Sequence, residues 1–277
     1  MSARQTSMTL AAQIPENPLK EKLARGELVA SMIVRISRGP EIGRIAATAG
    51  LDALYVDLEH SVLSLETTAL ICTAAREAGV VPLVRVPQID ASLICRVLDG
   101  GAMGIVVPHV ESAGDARHAV ACALYPPQGR RSAASGQAVL HYRNVPQGEA
   151  NAAINASMFL AVMIESRAAI ECIDEIAAVP GVNMLFIGAG DLSVDMGLAG
   201  QPTHPDVGKA IARVLSAAAR HGVAVGLGGL AGEQAFLAHW VAQGARFIST
   251  GTDLAFLSRA AADSVRFVKG LGAGDIA

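Results

Sequence analysis

Residues 159–193 read FLAVMIESRAAIECIDEIAAVPGVNMLFIGAGDLS. A short apolar run, FLAVMI, leads into an Ala- and Ile-rich segment of helical period, and a second run, MLFI, follows. Apolar runs of this length read as fully buried strands, and the distance between them suits a crossover helix. Each run closes on a polar stretch with a carboxylate, Glu165 after the first and Asp191 after the second. The same rhythm extends in both directions. It predicts strands over 29–34, 53–57, 82–86, 104–108, 159–164, 184–187, 223–226 and 247–249. Helices are expected near 40–49, 64–78, 90–98, 112–123, 167–178, 204–221, 231–242 and 252–269. Pro205 suits a helix start, and Gly79 and Gly222 suit helix ends that precede strands. Eight β–α units in about 250 residues is the arithmetic of a TIM barrel. A doubly wound sheet is the alternative, but it usually carries a Gly-rich dinucleotide turn after its first strand, and none is present. Residues 28–277 are read as one barrel domain and 1–27 as an N-terminal extension.

Composition agrees. Of 277 residues, 52% are hydrophobic and only 4% aromatic, so the apolar mass is aliphatic, as helices packed on a buried parallel sheet require. A net charge of −3 without a basic stripe or stacking rings argues against a nucleic-acid partner. No apolar run is long enough to span a bilayer, and MSARQTSMTLAAQIPENP lacks the apolar core of a signal peptide. The expectation is a cytoplasmic small-molecule enzyme. Cys72, Cys95, Cys122 and Cys172 form no CxxC pair and read as small buried hydrophobes, which fits a reducing compartment. Trp240 reads as a helix anchor. One segment breaks the rhythm: residues 125–156 are rich in Pro, Gly, Ser and Asn, and are expected to cover the catalytic face.

Catalytic groups of a barrel come from the C-terminal ends of its strands. The second strand ends YVDLEHS, placing Asp57 and His60 three residues apart, either as a carboxylate–imidazole general base or as a structural pair. Arg85 ends the third strand and is costly to bury unpaired, so it is a core ion-pair member or an oxyanion-type donor at the mouth. Glu165 and Asp191, ending neighbouring strands, suit a divalent cation; the bland alternatives are a helix N-terminal acid and an N-cap. His109 ends the fourth strand. His118, His141, His204, His221 and His239 read as surface, loop or packing residues. The glycines of Gly226-Leu-Gly-Gly either help bind an anion or only make a tight turn.

Taken in order, the stretches YVDLEHS, LVRVP, LDGGAMGIVVPHVESAGDA, YPPQGRR, VMIESRAAIECIDEIAAVPGV and FIGAGDLSVDMG resemble the HpcH/HpaI aldolase family of class II pyruvate aldolases. The resemblance spans roughly residues 28–270. It implies a TIM barrel of the phosphoenolpyruvate/pyruvate type, and a metal (Mg²⁺, Mn²⁺, Co²⁺ or Zn²⁺) held by Glu165 and Asp191. It also implies a homohexamer, a trimer of dimers that exchange a C-terminal helix. Arg85 would hold the keto oxygen of pyruvate, Asp57 and His60 would be the acid–base pair, and the N–H groups of Gly190 and Asp191 would help hold the pyruvate carboxylate. Asp99 falls where the family has an acid approaching from a neighbouring subunit, and Arg131 closes the YPPQGRR active-site segment. The implied reaction cleaves a 4-hydroxy-2-oxo acid to pyruvate and an aldehyde, reversibly, with no nucleotide and no Schiff-base lysine.

Departures from the family pattern are Met163 for a Gln that supports a metal-bound water, and Gly190, which loosens the carboxylate cradle. Gly228 stands where an apolar residue lies near the pyruvate methyl and would open the pocket. His109 replaces an apolar residue. The competing readings are an oxaloacetate decarboxylase or CoA-ester lyase on the same scaffold, and a non-catalytic barrel that binds a small acid.

Overall fold

The computed structural model describes residues 17–271. Eight parallel strands close into a barrel in chain order: β1 (Val29–Val34), β2 (Ala53–Asp57), β3 (Val81–Arg85), β4 (Gly104–Val107), β5 (Phe159–Ile164), β6 (Met184–Gly188), β7 (Ala224–Gly228) and β8 (Phe247–Thr252). The first helix, α1 (Pro18–Ala24), precedes the barrel. The connecting helices are α2 (Glu41–Thr48), α3 (Leu65–Glu77), α4 (Ala91–Asp99), α5 (Ala113–Ala123), α6 (Gln147–Ser157), α7 (Arg167–Glu171), α8 (Ile173–Ala177), α9 (Ala189–Asp195), α10 (Pro205–His221) and α11 (Gln234–Ala242), and α12 (Asp253–Leu271) follows β8. Pro205 opens α10, and Gly222 closes it with φ of 67°, a conformation that glycine adopts without a Cβ penalty.

Strands β2 to β6 are buried on both faces, which is why their sequences run apolar without alternation. Outward residues such as Val84, Ile105 and Ile187 join the helices in one core; inward residues such as Leu83, Phe159 and Phe247 form a second inside the barrel. There Phe186 meets Tyr55 and Phe247 edge-on, at ring-centroid distances of 6.0 and 5.7 Å. Glycines on β7 make room for that ring: a Cβ on Gly226 would lie 2.5 Å from Phe186 and one on Gly228 would lie 2.8 Å from it. The space freed by Gly228 is therefore filled by Phe186, and the expectation that this glycine opens the pocket is corrected. Gly226→Ala is expected to destabilise the fold by about 1–3 kcal/mol, because Phe186 is held by rings on two sides. A denaturant melt with unchanged midpoint would contradict this.

Three departures from the sequence reading have simple causes. The short helix α1 packs Leu19 into the barrel's inner core, and Asn17 caps it while its side-chain amide donates to the carbonyls of Met103 and Ser157. Residues 17–24 of the expected N-terminal extension thus lie against the barrel; residues 1–16 lie outside the described residues. Cys95 and Cys172 are only half-buried, unlike Cys72 and Cys122. The third departure is the 125–156 segment. It joins a helix, α5, to the start of a strand, β5, so it lies at the N-terminal end of the barrel, opposite the catalytic face. It does not cover the mouth of its own barrel. It packs instead as a satellite core of Tyr125, Val139, Leu140, Ala150 and Ile154, part of it on α6. No helix among the described residues is long and apolar enough to cross a membrane.

Candidate active site

The C-terminal ends of β1 to β6 carry most of the polar residues at the mouth. Asp57 and Arg85 are register partners across β2 and β3. Their side chains pair in a bidentate fork, Nε to Oδ1 at 2.9 Å and Nη2 to Oδ2 at 2.6 Å. Asp57 has no solvent exposure, and it also accepts Nε of Arg35 at 2.7 Å and the backbone N–H groups of Glu59 and His60. Burial alone would push its carboxyl up; the Arg85 pair and these donors override that and hold it below the usual carboxylate range. Arg85 spends its remaining arm, Nη1, on Glu59 at 2.9 Å, and the same nitrogen lies 3.9 Å from the Met163 sulfur.

The expected Asp57–His60 dyad is not formed. His60 meets Asp57 only through its backbone N–H, and its half-exposed ring lies nearest to Glu59, with Nε2 3.8 Å from Oε2. A strand-end spacing of three fixes proximity along the chain but not side-chain direction. Asp57 points to the guanidinium beside it, and the His60 ring lies by Glu59.

Glu59, unremarked in the sequence, is the hub. Its carboxylate contacts Arg85, and its Oε1 lies 2.8 Å from Nε2 of His109. The other ring nitrogen of His109 lies 3.0 Å from Oε1 of Glu165, and its backbone N–H donates to the same oxygen at 2.7 Å. His109 holds this position with φ of 55°, a strained value for a residue with a Cβ. The imidazole thus bridges the carboxylates of β2 and β5.

Glu165 is buried. Desolvation pushes its carboxyl above the ordinary glutamate range, opposed by the His109 N–H and reinforced by the negative charges of Asp191 and Glu59. It lies outside the first turn of α7, whose cap is Ser166, so it is neither a first-turn acid nor the cap. Asp191 is no N-cap either: it stands exposed in the first turn of α9, whose cap position is Gly188. Gly188 also lets the Glu165 side chain pass, since a Cβ there would lie 2.9 Å from Oε2. Nothing lies within 4 Å of where a Gly190 Cβ would be, so a side chain would find space there. Among the described residues, no three His, Cys, Asp or Glu side chains are gathered as a metal cage. The two carboxylates expected to hold a cation leave its remaining positions to water and substrate oxygens, as Mg²⁺-type sites do. The upward shift of the Glu165 carboxyl, from burial and neighbouring negative charge, fits a site that gains from a cation.

Asp99 and Arg131 are not in this cluster. Asp99 ends α4, which returns from the mouth to the floor of the barrel, and it pairs with Arg131 at 2.6 Å. Arg131 is buried with its guanidinium 4.6 Å from the Tyr125 ring centroid. Of the other histidines, His204 caps α10, His221 lies by Asp174, His141 by Arg76 and His239 edge-on to Trp240, which is buried; His118 is exposed on α5. The lysines sit on α1, α10 and α12.

The sequence pattern of the HpcH/HpaI aldolase/citrate lyase family matches residues 31–260, and every residue of the cluster lies within that span. The chain belongs to this family. A 4-hydroxy-4-methyl-2-oxoglutarate aldolase of Hapsidospora irregularis is 43% identical over 217 residues, 78% of this chain and 80% of that one. A hydroxypyruvate/pyruvate aldolase of Roseovarius nubinhibens is 36% identical over 89% of this chain and 95% of its own. Among solved structures, an HpcH/HpaI aldolase from Desulfitobacterium hafniense superposes with a TM-score of 0.84 at 35% identity, covering 91% of this chain and 96% of that one. This HpcH/HpaI protein therefore shares its barrel with relatives named as aldolases.

Proposed function

We propose that this HpcH/HpaI protein is a divalent-metal-dependent aldolase that cleaves a 4-hydroxy-2-oxo acid to pyruvate and a carbonyl fragment, and runs the reverse addition. Support comes from one observation above all: Glu165, Glu59, His109, Arg85 and Asp57 form a continuous chain of contacts across one barrel mouth. Glu165 and Asp191 would hold the cation, which would supply Lewis-acid chemistry to a 2-keto acid. Arg85, locked by Asp57 and Glu59, presents fixed positive charge where the keto oxygen gains negative charge. The first-turn amides of Gly190 and Asp191 in α9 serve the pyruvate carboxylate. His60, free of Asp57 and exposed at the mouth, takes the proton from the C4 hydroxyl. The C4–O bond then becomes a carbonyl, the C3–C4 bond breaks, and its electron pair stays on C3 as the enolate. Protonation at C3 gives pyruvate.

The test is direct. The metal-loaded protein is incubated with 4-hydroxy-2-oxo acids, and pyruvate is followed with a coupled reductase. Release of pyruvate supports the assignment; none with any divalent metal or chain length sinks it.

Assembly by helix exchange belongs to the same reading. Past Phe256 every described residue of α12 is exposed, including Leu257, Val265, Phe267 and Val268. An apolar stripe on a helix that leaves its own barrel is a surface for a second copy. Phe267→Asp combined with Val268→Asp is expected to reduce the sedimenting species to smaller assemblies. An unchanged mass would contradict the exchange.

A further inference from the structure

Arg35 stands one residue past β1 and is held at both ends. Its backbone N–H donates to Oδ1 of Asp253 at 2.9 Å, and the next two amides, of Ile36 and Ser37, donate to Oδ2 at 3.1 and 2.8 Å. One buried carboxylate at the end of β8 thus fastens the whole turn after β1. At the far end of the side chain, Nε donates to Asp57. Backbone and Nε are fixed, yet the two Nη groups make no hydrogen bond among the described residues, and the side chain is 32% exposed. Arg85, on the same Asp57, differs: it is buried, and all three of its nitrogens are engaged. Asp57 needs only one guanidinium to balance its charge. The second leaves a planar fork of N–H donors standing at the rim, a geometry that suits a carboxylate.

Its place on the rim says which part of a substrate it meets. In the closed strand order, β1 lies across the barrel from β5. Glu165 ends β5 and Asp191 follows β6, so the pyruvate half of the substrate occupies that side, and the fragment beyond the C3–C4 bond extends toward β1. We infer that Arg35 binds a carboxylate on the departing fragment, so that the preferred substrates are 4-hydroxy-2-oxo dicarboxylates and the second product is itself an oxo acid. Asp253 acts as a positioning residue, fixing the turn that carries Arg35. This inference rests on the aldolase reading above.

The experiment compares two substrates that differ only at C4: 4-hydroxy-2-oxoglutarate, with a carboxylate there, and 4-hydroxy-2-oxopentanoate, with a methyl. Pyruvate release gives kcat/KM for each. The parent protein is expected to prefer the dicarboxylate, and Arg35→Gln to lower the ratio of the two values on the order of 10- to 100-fold, the worth of a charged hydrogen-bonded contact. Arg35→Lys keeps the charge but not the fork. Its ratio should fall between the two, which also serves where Arg35→Gln fails to fold. A ratio unchanged in both variants, or a parent without preference, overturns this inference and leaves the aldolase reading standing. Turnover of neither substrate by the parent overturns both.

Discussion

Replacing Glu165 by glutamine is expected to cut turnover steeply and, in the same protein, to raise the melting temperature of the metal-free form. The two effects share one cause. Glu165 is buried beside Asp191 and Glu59, and desolvation together with these charges raises its carboxyl in the folded state. A glutamate whose folded value is raised costs folding stability, and the cost grows as pH rises from the ordinary glutamate range through the raised value. Glutamine keeps the shape and still accepts the His109 N–H without carrying the charge. The gain in melting temperature should therefore be present at neutral pH and vanish in acid. Activity should fall on the order of 10³-fold, the several kcal/mol that a catalytic cation contributes. Retained metal-dependent turnover would refute the ligand role. A lowered melting temperature at neutral pH would refute the electrostatic reading.

Arg85→Ala is expected to damage both stability and turnover. The structure shows Arg85 as a buried ion-pair member, and the proposed function gives the same guanidinium a donor role. Removing it takes two charged donors from a fully buried Asp57 and leaves Arg35 and two backbone amides behind. Breaking a buried pair in this way costs about 3–5 kcal/mol. Asp57 has a depressed folded value, so its stabilisation is complete above the ordinary carboxylate range and is lost as pH falls through that depressed value. The stability gap between parent and Arg85→Ala should accordingly narrow in acid. Arg85→Lys separates the two roles: it returns charge to Asp57 and recovers most of the stability. It lacks the fork that reaches Asp57 and Glu59 together, so turnover stays low. Full activity in Arg85→Lys would confine Arg85 to the fold.

What could be read in the sequence followed from chain geometry. Buried parallel strands must be apolar on both faces, so β1, β2 and β5 appear as Val/Ile/Leu runs with sharp ends. The ends of β7 and β8 do not, because Gly226 and Gly228 are small for Phe186 and the last residues of β8 are polar. The short helix α9 starts on glycines, and α6 has a weak apolar face, so neither stands out in its sequence. The carboxylates Glu165 and Asp191 were visible because both close apolar runs. Arg35 meets the same criterion, one residue past β1. Glu59 would have needed the side-chain directions of the DLEH turn, and spacing does not encode those. Length alone does not place the 125–156 segment; its position between a helix and the next strand assigns it to the floor of the barrel.

In the proposed reaction this mouth stabilises the enolate of pyruvate. Exchange of the pyruvate C3 protons with D₂O, followed by NMR in the presence of a divalent cation and no aldehyde, tests that step without knowledge of the second product. Exchange catalysed by the parent protein and lost in Glu165→Gln is the expected result. Pyruvate whose methyl protons stay unexchanged with every divalent cation, by protein that is folded, would contradict it.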